Sequence, residues 1–424
     1  MLWKVLYNII VLPIGLLLLH VAAYFDGKAR RAIVGRKHLF ERLRDDLSKT
    51  QPGRKRLWFH SSSMGEFEQA KPIITELKMR HPEIEIVVSF FSPSGYEHSR
   101  AYKFARVITY MPFDTRGNAE RFVEILNPSA AIMVRYDLWP NHIWALKRAS
   151  VPIFIANATL RQNTARRLPL INQFHCSMYD AIDYILTVSE SDKKVFESFR
   201  LHHPEIEVMG DTRYDQVWQR SSDSKTRHVL PKVLVENRRI IVAGSSWEED
   251  EEALLPAFHR LAEEDRDLLL VLVPHEPNLE NVERIESQLN GNASHIRFSS
   301  LNDYVDERVV IIDSVGILMA LYQYAHVAYV GGSFRQGVHN VLEPAAYGIP
   351  IVIGPKYQNS QEAIELVRRE AAFVGENPQQ LYEHFHALLR TDTKREKSGS
   401  RALELVQHNI GATKRFLSYL EKVL

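Results

Sequence analysis

Residues 55–77 (KRLWFHSSSMGEFEQAKPIITEL) and residues 238–261 (RRIIVAGSSWEEDEEALLPAFHRL) begin alike, and this repetition indicates a chain built from two similar halves. In a gap-free alignment of the two stretches, Glu66 matches Glu249. Each stretch holds an apolar run typical of a strand, a loop of small residues and an amphipathic helix. The similarity is short and chance is an alternative explanation, but it favours two halves that start with the same βα unit.

Working outward from these stretches, ten short apolar runs alternate with helical patterns such as 67–80 and 250–263. The runs are 57–60, 84–91, 129–134, 151–156, 184–189, 239–243, 268–273, 309–312, 326–331 and 349–353. Near-continuous apolar strands between helices are typical of parallel sheets covered on both faces. We therefore expect an α/β fold with two Rossmann-like domains facing one cleft, and ligands beyond the carboxyl ends of the strands.

Changes in composition along the chain predict the domain boundaries. The polar stretch QRSSDSKTRHVLPK at 219–232 is typical of a linker. The expected segments are a membrane anchor helix (1–26), a first Rossmann-like domain (27–218), a linker (219–235) and a second Rossmann-like domain (236–424). The last helix of the chain is a candidate to cross back to the first domain.

Overall composition limits the class of protein. The chain has 424 residues, 45% hydrophobic and 25% charged, as in folded globular proteins. Its net charge of +1 argues against a general nucleic-acid binder, which needs a basic excess to neutralise phosphates. A single cysteine excludes an intramolecular disulfide and a cysteine-based metal cluster, and it fits a reducing compartment.

The N-terminus is predicted to bind a membrane. Residues 5–25 contain no Asp, Glu, Lys or Arg, and a helix of that length is about 31 Å long, close to the hydrocarbon thickness of a bilayer. A cleaved signal peptide is the less favoured alternative, because the apolar region is too long and only Lys4 precedes it.

The segment that follows is strongly basic. Residues 26–56 hold eleven Lys or Arg and four acidic residues. Positive flanks stay on the cytoplasmic side, so we expect the remaining domains in the cytoplasm. The cluster is either a topology signal alone or a surface that also attracts anionic headgroups or a phosphorylated lipid substrate.

The loop HSSSMGE (60–66) holds the first candidate site. Gly65 permits close approach of a ligand to the backbone, and Glu66 is a candidate general base at the mouth of the cleft. No metal-ligand spacing and no Walker A pattern accompany it. The alternative is a capping box, in which Ser63 caps the following helix and Glu66 bonds back.

The loop GGSFRQGVHNVLEPAAYG (331–348) follows a strand and precedes a helix. We expect Gly331, Gly332 and Gly337 to leave backbone amides free to cradle an anion. Glu343 is placed to accept hydrogen bonds from ribose hydroxyls, or Asn340-x-x-Glu343 only caps the helix. The length of the whole loop favours a nucleotide site.

Smaller features have two interpretations each. Arg213 in GDTRYD can bind a phosphate or carboxylate through two nitrogens, or it is a solvated surface residue. His275 in PHEP lies just after a predicted strand, where a lone histidine is often structural. The acidic run 247–252 (WEEDEE) suggests a metal site or, more simply, a favourable partner of a helix dipole. Cys176 lacks a basic context and is predicted to be structural.

Taken in order, these motifs resemble those of the 3-deoxy-D-manno-octulosonic acid (Kdo) transferases of lipopolysaccharide synthesis, over nearly the whole chain. The most specific stretch is YVGGSFRQGVHNVLEPAAYGIPIVIGP (329–355), which is similar to the family signature VGGS…HN-x-LEPAA-x-G-x-P-V-x-x-GP. HSSSMGE resembles the family's H-x-x-SVGE loop. Further matching blocks are SPSG (92–95), DLWPN (137–141), NATL (157–160) and GDTRYD (210–215).

The resemblance implies a GT-B fold and an inverting, metal-independent glycosyltransferase without cofactors at the bacterial inner membrane. The implied partners are the donor CMP-Kdo and a phosphorylated lipid A precursor as acceptor, with no nucleic acid. The implied catalytic residues are Glu66 as base, Asp137, and Arg213 in place of a lysine that stabilises the transition state. The implied acceptor-binding residues are Ser63, Gly65, Ser94 and Arg135. The implied donor-binding residues are Ser245, Ser246, Pro274, His275, Val315, Gly316, Ile317, Gly332, Gly337, His339, Asn340, Val341, Leu342 and Glu343. No metal ligands are expected.

The chain departs from the family pattern at three blocks. ETELWPN reads RYDLWPN here, PRHPE reads PHEP, and M-G-E reads V-G-I, so that Ile317 replaces a carboxylate. These departures leave open another membrane-associated GT-B transferase with a UDP-sugar or CDP-alcohol donor. They also leave open a catalytically dead membrane scaffold. A sugar-nucleotide epimerase of related fold ranks last, because it needs no anchor.

Overall fold

The computed structural model describes residues 2–50 and 53–424. Met1, within the predicted anchor segment, and Gln51 and Pro52, within the predicted first domain, lie outside the described residues. The chain divides into two compact units. The first runs to Gln216 and also includes Ile410–Leu424, and the second is Val217–Asn409.

The first unit is built on a seven-stranded sheet in which every neighbouring pair is parallel, with strand order β3-β2-β1-β4-β5-β6-β7. The strands are β1 (Arg56–Ser61), β2 (Glu85–Phe90), β3 (Val107–Tyr110), β4 (Ala130–Val134), β5 (Ile153–Ala158), β6 (Tyr184–Thr187) and β7 (Glu205–Val208). The central strands β1, β2, β4 and β5 are buried almost throughout, because helices cover both faces of the sheet.

Helices connect these strands and precede them. They are α1 (Leu2–Leu6), α2 (Leu12–Phe25), α3 (Gly27–Gly35), α4 (Leu39–Ser48), α5 (Met64–Arg80), α6 (Pro93–Ser99), α7 (Arg116–Leu126), α8 (Pro140–Arg148), α9 (Pro169–Tyr179) and α10 (Glu190–Glu197). A π-type turn over Tyr7–Val11 joins α1 to α2. α1, this turn and α2 contain the segment Trp3–Phe25, whose 23 residues and mean hydropathy of 2.3 make it long and apolar enough to cross a bilayer.

The second unit repeats the plan of the first. The helix α11 (Thr212–Ser224) and the short helix α12 (Lys232–Val235) occupy much of the stretch that the sequence suggested as a linker. The sheet has the order β10-β11-β9-β8-β12-β13-β14 and is parallel throughout. Its strands are β8 (Arg239–Ser246), β9 (Leu268–Pro274), β10 (His295–Arg297), β11 (Val309–Ile311), β12 (Val327–Val330), β13 (Ile351–Ile353) and β14 (Ala372–Val374). Its further helices are α13 (Glu248–Glu264), α14 (Leu279–Leu289), α15 (Leu318–Leu321), α16 (Leu342–Ala345), α17 (Gln361–Arg368), α18 (Pro378–Arg390) and α19 (Asp392–Asn409).

The last helix, α20 (Ala412–Leu420), is part of the first unit. Asp215 accepts hydrogen bonds from the backbone N–H groups of Gly411 (2.5 Å) and Thr413 (2.7 Å) at its start. Phe416 packs edge-on against Phe154 of β5, with ring centroids 5.8 Å apart. The C-terminal residues therefore complete the helical layer on one face of the first sheet.

The α/β fold expected from the sequence is confirmed: all ten predicted strands are present, and the repeated stretches form β1–α5 and β8–α13. The four strands that the sequence analysis missed are the four edge strands, β3, β7, β10 and β14. Edge strands contact one neighbour only and keep part of their surface in water, so they need no continuous apolar run. In β7 the pattern EIEV places no residue in the fully buried class.

A close backbone contact in the second unit can be tested by mutation. A Cβ atom at Gly399 in α19 would collide with the carbonyl oxygen of Gly348, whereas a Cβ at Gly117 in α7 meets no atom within 4 Å. We expect Gly399→Ala to lower the free energy of unfolding by about 1–3 kcal/mol, although alanine favours helices. The matched control Gly117→Ala is expected to raise it by roughly 0.5–1 kcal/mol. Thermal unfolding of both variants checks the contact, and equal effects would contradict it.

Candidate functional site

The candidate residues of each unit lie where its strand order reverses direction. In the first sheet, β2 and β3 lie on one side of β1, and β4 and the later strands lie on its other side. In the second sheet, β9, β11 and β10 lie on one side of β8, and β12 and the later strands lie on its other side. The loop 60–66 follows β1 and the RYD stretch follows β4. Ser245 and Ser246 end β8, and the loop 331–348 follows β12. Such switch points at the carboxyl edge of a parallel sheet form crevices for ligands.

Glu66 lies in the first turn of α5 and is only 8% exposed. Its Oε2 accepts a 2.6 Å hydrogen bond from the backbone N–H of Ser62. Ser63 is the N-cap residue, but its side chain makes no capping hydrogen bond. The capping box predicted as an alternative is therefore half formed: Glu66 bonds back to the loop, but the Ser63 side chain does not cap the helix.

Asp137 is held next to this loop by a buried chain of hydrogen bonds. His60 Nε2 lies 2.9 Å from Asp137 Oδ2, and His60 Nδ1 lies 2.8 Å from Ser89 Oγ. Trp58 Nε1 donates to the same Ser89 Oγ at 2.8 Å. Because the indole can only donate, the Ser89 hydroxyl is free to donate to Nδ1, which leaves the His60 Nε2–H to donate to Asp137.

The two carboxyl groups are shifted in opposite directions. Burial, and next the negative charge of Asp137, raise the pKa of Glu66, and the hydrogen bond from Ser62 offsets only part of this. Burial also acts to raise the pKa of Asp137, but hydrogen bonds from His60 and Trp139 outweigh it and the pKa of Asp137 falls. When the pKa values of two neighbouring carboxyl groups are shifted in opposite directions, the group with the raised pKa can accept a proton and the other keeps its negative charge.

The predicted acceptor-binding residues surround this pair. The backbone N–H of Ser92 donates to the carbonyl of Ser62 at 2.9 Å. This bond places the start of α6, which contains Ser94, beside the loop that leads into α5 and Glu66. Arg135 follows β4 in a left-handed conformation (φ 64°), a strained backbone for a residue with a side chain. A Cβ at Gly65 would meet no protein atom within 4 Å, so open space adjoins this residue.

Arg213, predicted to stabilise a phosphate, already has a carboxylate partner. Its Nε and Nη2 donate to Oδ2 of the buried Asp211 at 2.9 and 2.7 Å. The side chain is 38% exposed. Asp211 thus positions the guanidinium and also lowers its capacity to compensate a ligand charge.

In the second unit, the expectation that the glycine amides of the loop 331–348 are free is wrong. The N–H of Gly331 donates to Gly244 O, that of Gly337 to Gly332 O, and that of Gly332 to Asp250 Oδ2, at 2.9, 2.9 and 2.7 Å. The helix α16 that follows has four residues, and the N–H of its first residue, Leu342, already donates to Asn340 Oδ1. The loop folds back on itself, so charge compensation falls to side chains.

Asp250 organises this loop from inside. Its fully buried carboxylate accepts hydrogen bonds from the Tyr329 hydroxyl (2.8 Å) and from the backbone N–H groups of Trp247 (3.0 Å), Gly332 (2.7 Å) and Phe334 (3.3 Å). Four donors around one carboxylate balance the cost of burying its charge. The acidic run 247–252 therefore has a structural purpose, and within the described residues no group of His, Cys, Asp or Glu is arranged to hold a metal ion.

Two neighbouring cavities are lined by half of the predicted donor-binding residues. A cavity of about 290 Å³ is lined by predicted residues and by others that the sequence did not suggest. The former are Ser245, Gly316, His339, Asn340 and Glu343, and the latter include Arg220, Met319 and Tyr322. A second cavity, of about 300 Å³, is lined by Ser246, Pro274, Trp247, Arg284 and Arg335, among others.

A stack of rings borders both cavities. The ring of His275 stacks on both Trp247 and His339, with its centroid 4.5 Å from each of theirs, and the Trp247 and His339 centroids are 6.4 Å apart. The guanidinium of Arg335 lies over Trp247, 4.1 Å from the ring centroid. Trp247 Nε1 donates to His339 Nε2 at 2.8 Å, so this histidine is neutral. Burial, and next the neighbouring His275, lower the pKa of His339, in agreement with that assignment.

The remaining predicted donor residues differ in position. Val341 and Leu342 are buried packing residues, and Val315 is 81% exposed in the loop before α15. Ile317 precedes α15 as its N-cap residue. Burial raises the pKa of Glu343, and the charge of Arg220 and a 3.2 Å hydrogen bond from Asn340 offset part of that rise.

Several residues of these sites were not found from the sequence. Arg220 lies in the stretch interpreted as a linker, and nothing in its neighbours distinguishes it. Trp247 was included in the acidic run, although an aromatic residue directly after a strand was an available signal. His60 was quoted within its loop without a role. Cys176 agrees with its structural prediction, since burial and next Asp180 raise the pKa of its thiol.

Comparisons with known proteins agree with this architecture. Residues 37–216 match the family model of 3-deoxy-D-manno-octulosonic-acid transferase. The enzyme of that name from Haemophilus influenzae is 28% identical over 430 aligned residues, covering 100% of this chain and 99% of its own. The one from Aquifex aeolicus is 29% identical over 74% of this chain and 80% of its own. UDP-GlcNAc 2-epimerase from Neisseria meningitidis shares the fold, with a TM-score of 0.59 at 16% identity, over 87% of this chain and 100% of that one.

The role of Asp250 predicts a specific loss of order. In Asp250→Asn, the side-chain NH₂ group would replace one carboxylate oxygen and face groups that donate hydrogen bonds. Some of these buried donors would then have no acceptor. We expect the free energy of unfolding to fall by about 1–3 kcal/mol and the amides of Gly332 and Phe334 to exchange faster with solvent. Hydrogen exchange measured by mass spectrometry checks this. The exposed Glu252 on the same helix supplies the control Glu252→Gln, for which exchange in the loop should be unchanged.

The raised pKa of Glu66 predicts a pH-dependent stability. Above its ordinary value of 4.5, the folded state holds this proton more tightly than the unfolded state, so ionisation of Glu66 costs stability as the pH rises. Glu66→Gln is therefore expected to raise the apparent Tm at pH 7 by more than at pH 4. The control Glu76→Gln, a half-exposed position on the same helix, should show no such gain. An unchanged or lower Tm for Glu66→Gln at pH 7 would contradict the assigned environment.

Proposed function

We propose that the chain is a glycosyltransferase of the Kdo transferase family and that it transfers Kdo from CMP-Kdo to a phosphorylated lipid A precursor at the bacterial inner membrane. The observation that carries the proposal is the pair of carboxyl groups with oppositely shifted pKa values, Glu66 and Asp137, at the switch point of the first sheet. Full-length similarity to the Haemophilus influenzae enzyme supports Kdo as the sugar that is transferred.

The proposed reaction is a direct displacement with inversion. An acceptor hydroxyl loses its proton to Glu66 while its oxygen forms a bond to the anomeric carbon of Kdo. The bond from that carbon to the phosphate of CMP breaks, and CMP leaves from the opposite face. Burial prepares Glu66 for this step, since a carboxylate with a raised pKa is a stronger base. The charge on Asp137, fixed by His60, helps to keep that pKa raised.

We assign the nucleotide to the second unit. Glu343 in the 290 Å³ cavity is placed to accept hydrogen bonds from sugar hydroxyls, and the neighbouring Arg220 supplies a positive charge. Arg335 and Arg284 line the adjoining 300 Å³ cavity. We propose that these guanidinium groups, rather than a metal ion or the loop amides, compensate the charge of the leaving phosphate. Arg220 is the main contributor in this proposal, because Arg284 and Arg335 already pair with Glu251 (2.6 Å) and Glu249 (3.7 Å).

The N-terminal segment is proposed to keep the enzyme at its lipid substrate. Trp3–Phe25 has the length and hydropathy of a membrane helix. The basic residues that follow it suit the cytoplasmic face of the membrane and anionic headgroups. We propose that both features hold the first unit where the sugar of a lipid A precursor meets the cytoplasm.

The proposal is tested by following Kdo transfer from CMP-Kdo, generated in situ, to a tetraacylated lipid A precursor, with EDTA present. Glu66→Ala is expected to lower the turnover at least ~10²-fold, because the base is lost, while CMP still raises the Tm. Glu76→Ala, on the same helix, should keep full activity.

Each outcome of this assay has a meaning. Full turnover by Glu66→Ala would overturn the base assignment, and loss of wild-type activity in EDTA that added Mg²⁺ restores would overturn metal independence. If the wild type makes no product, Tm shifts with CMP, UDP and CDP distinguish another donor from a dead scaffold, which predicts no shift at all.

A further inference from the structure

The first turns of the N-terminal helix are bound to the first unit by polar contacts. Tyr7 is 9% exposed, and its hydroxyl donates to Oδ2 of Asp114 at 2.8 Å. Asn8 and Asn141 exchange two side-chain hydrogen bonds of 3.1 and 2.9 Å. Asp114 is itself buried and also accepts from the backbone N–H of Asn141 at 3.1 Å. Polar pairs of this kind belong to a protein interior, not to a bilayer core.

Rings reinforce the same attachment. Tyr7 stacks on Phe174 with ring centroids 5.7 Å apart and meets Trp144 edge-on at 6.2 Å. Trp3 Nε1 donates to the side chain of Gln173 at 3.3 Å. The contacts lie on α8 and α9 and extend over the segment from Trp3 to Asn8, which is therefore part of the packed unit.

The other end of the apolar segment returns to the same unit. Asp26 accepts hydrogen bonds from the backbone N–H groups of Lys28 and Ala29, which ends α2 and starts α3. After α3, Arg36 donates from Nε to Met111 O at 2.7 Å and from Nη2 to Phe91 O at 2.8 Å. Helices α2 and α3 thus form a hairpin with both ends attached to one unit.

The length of the free helix is decisive for how it can meet a membrane. Between the docked residues Trp3–Asn8 and the bend at Asp26, the stretch Ile9–Phe25 remains, 17 residues or about 25 Å, whereas a bilayer core is about 30 Å thick. Apart from His20, its exposed large side chains are apolar: Ile9 (68%), Ile10 (48%), Val11 (58%), Ile14 (53%), Leu17 (63%), Leu18 (63%), Val21 (48%), Tyr24 (79%) and Phe25 (88%). The stretch is shorter than the bilayer core and both its ends are bound to the same unit, so it is suited to enter one leaflet.

Positive charge gathers at the base of the hairpin. An open cavity of about 490 Å³ is lined by Arg30, Arg31, Arg42 and Arg100, with Glu97 as its one acidic residue. Arg30 also reaches the last carbonyls of α2, at Ala23 and Tyr24, with distances of 3.2 and 3.3 Å. Guanidinium groups beside an apolar helix end match the phosphate-bearing headgroups at the surface of a leaflet.

We propose that the N-terminal segment is a one-leaflet anchor and not a membrane-spanning helix. The α2–α3 hairpin places the exposed face of α2 in the leaflet nearest the catalytic units, both its ends stay on that side, and the four arginines bind anionic lipid headgroups. The inference rests on the membrane association proposed above and chooses between the spanning and the one-leaflet anchor, which the sequence leaves open.

The test is the sidedness of single thiols. In a Cys176→Ser background, Val5→Cys, Leu18→Cys and the control Gln407→Cys, an exposed site in α19, are treated with a membrane-impermeant maleimide. Sealed inner-membrane vesicles of both orientations are used. We expect Val5→Cys to react from the same side as Gln407→Cys, and Leu18→Cys to stay unlabelled from either side.

Other outcomes overturn the inference in distinct ways. Reaction of Val5→Cys from the opposite side alone would establish a spanning helix. Labelling of Leu18→Cys would place α2 in water, and a disulfide between two copies of Leu18→Cys would show that a second chain covers the apolar face. Failure of the wild type to float with vesicles would instead disprove the proposed membrane association itself.

The headgroup part has its own measurement. Arg31→Gln with Arg100→Gln is expected to weaken binding to vesicles containing phosphatidylglycerol about 30-fold, and to leave binding to pure phosphatidylcholine vesicles unchanged. The control pair Lys225→Gln with Lys397→Gln removes the same charge elsewhere. An equal loss in both pairs would show a general charge effect and overturn the proposed arginine site.

Discussion

A parallel sheet puts every loop that follows a strand along one edge, and both units of this protein depend on that constraint. In each unit the chain begins in the middle of its sheet, so the first strand and a later one lie side by side while their connections turn away from each other. The gap between those connections is where Glu66 and Asp137 meet in the first unit. The same gap in the second unit receives the loop after β12.

Buried carboxylates then give the two gaps different properties. Asp250 is surrounded by four donors and serves as a structural centre for the loop after β12. Asp137 keeps its charge because His60 and Trp139 donate to it. Glu66 has a single strong donor and a negative neighbour, so its ionised form is the least well stabilised of the three. A carboxylate that can act as a base thus differs from structural carboxylates in that its surroundings stabilise its negative charge less.

The core of the fold was predictable because its signal is local. Central strands such as β4 and β9 are covered on both faces, so each must be a continuous apolar run, and such runs are visible in the sequence. Edge strands such as β7 and β10 face water on part of their surface and carry charged residues, which hides them. The same logic applies to α11, whose polar surface resembles that of a linker.

The sequence by itself determined the α/β class, the two repeated halves, the resemblance to a transferase family and the positions of Glu66 and of the loop 331–348, since each depends on residues close together in the chain. Only the tertiary structure decided what those residues contact. In the folded chain, the glycine amides are hydrogen-bonded within the protein and Arg213 pairs with Asp211. The Trp247 and His339 rings stack with His275, and Tyr7 is hydrogen-bonded to Asp114. These contacts join residues distant in sequence, and hydrogen-bond satisfaction in a buried environment selects them only once the chain has folded.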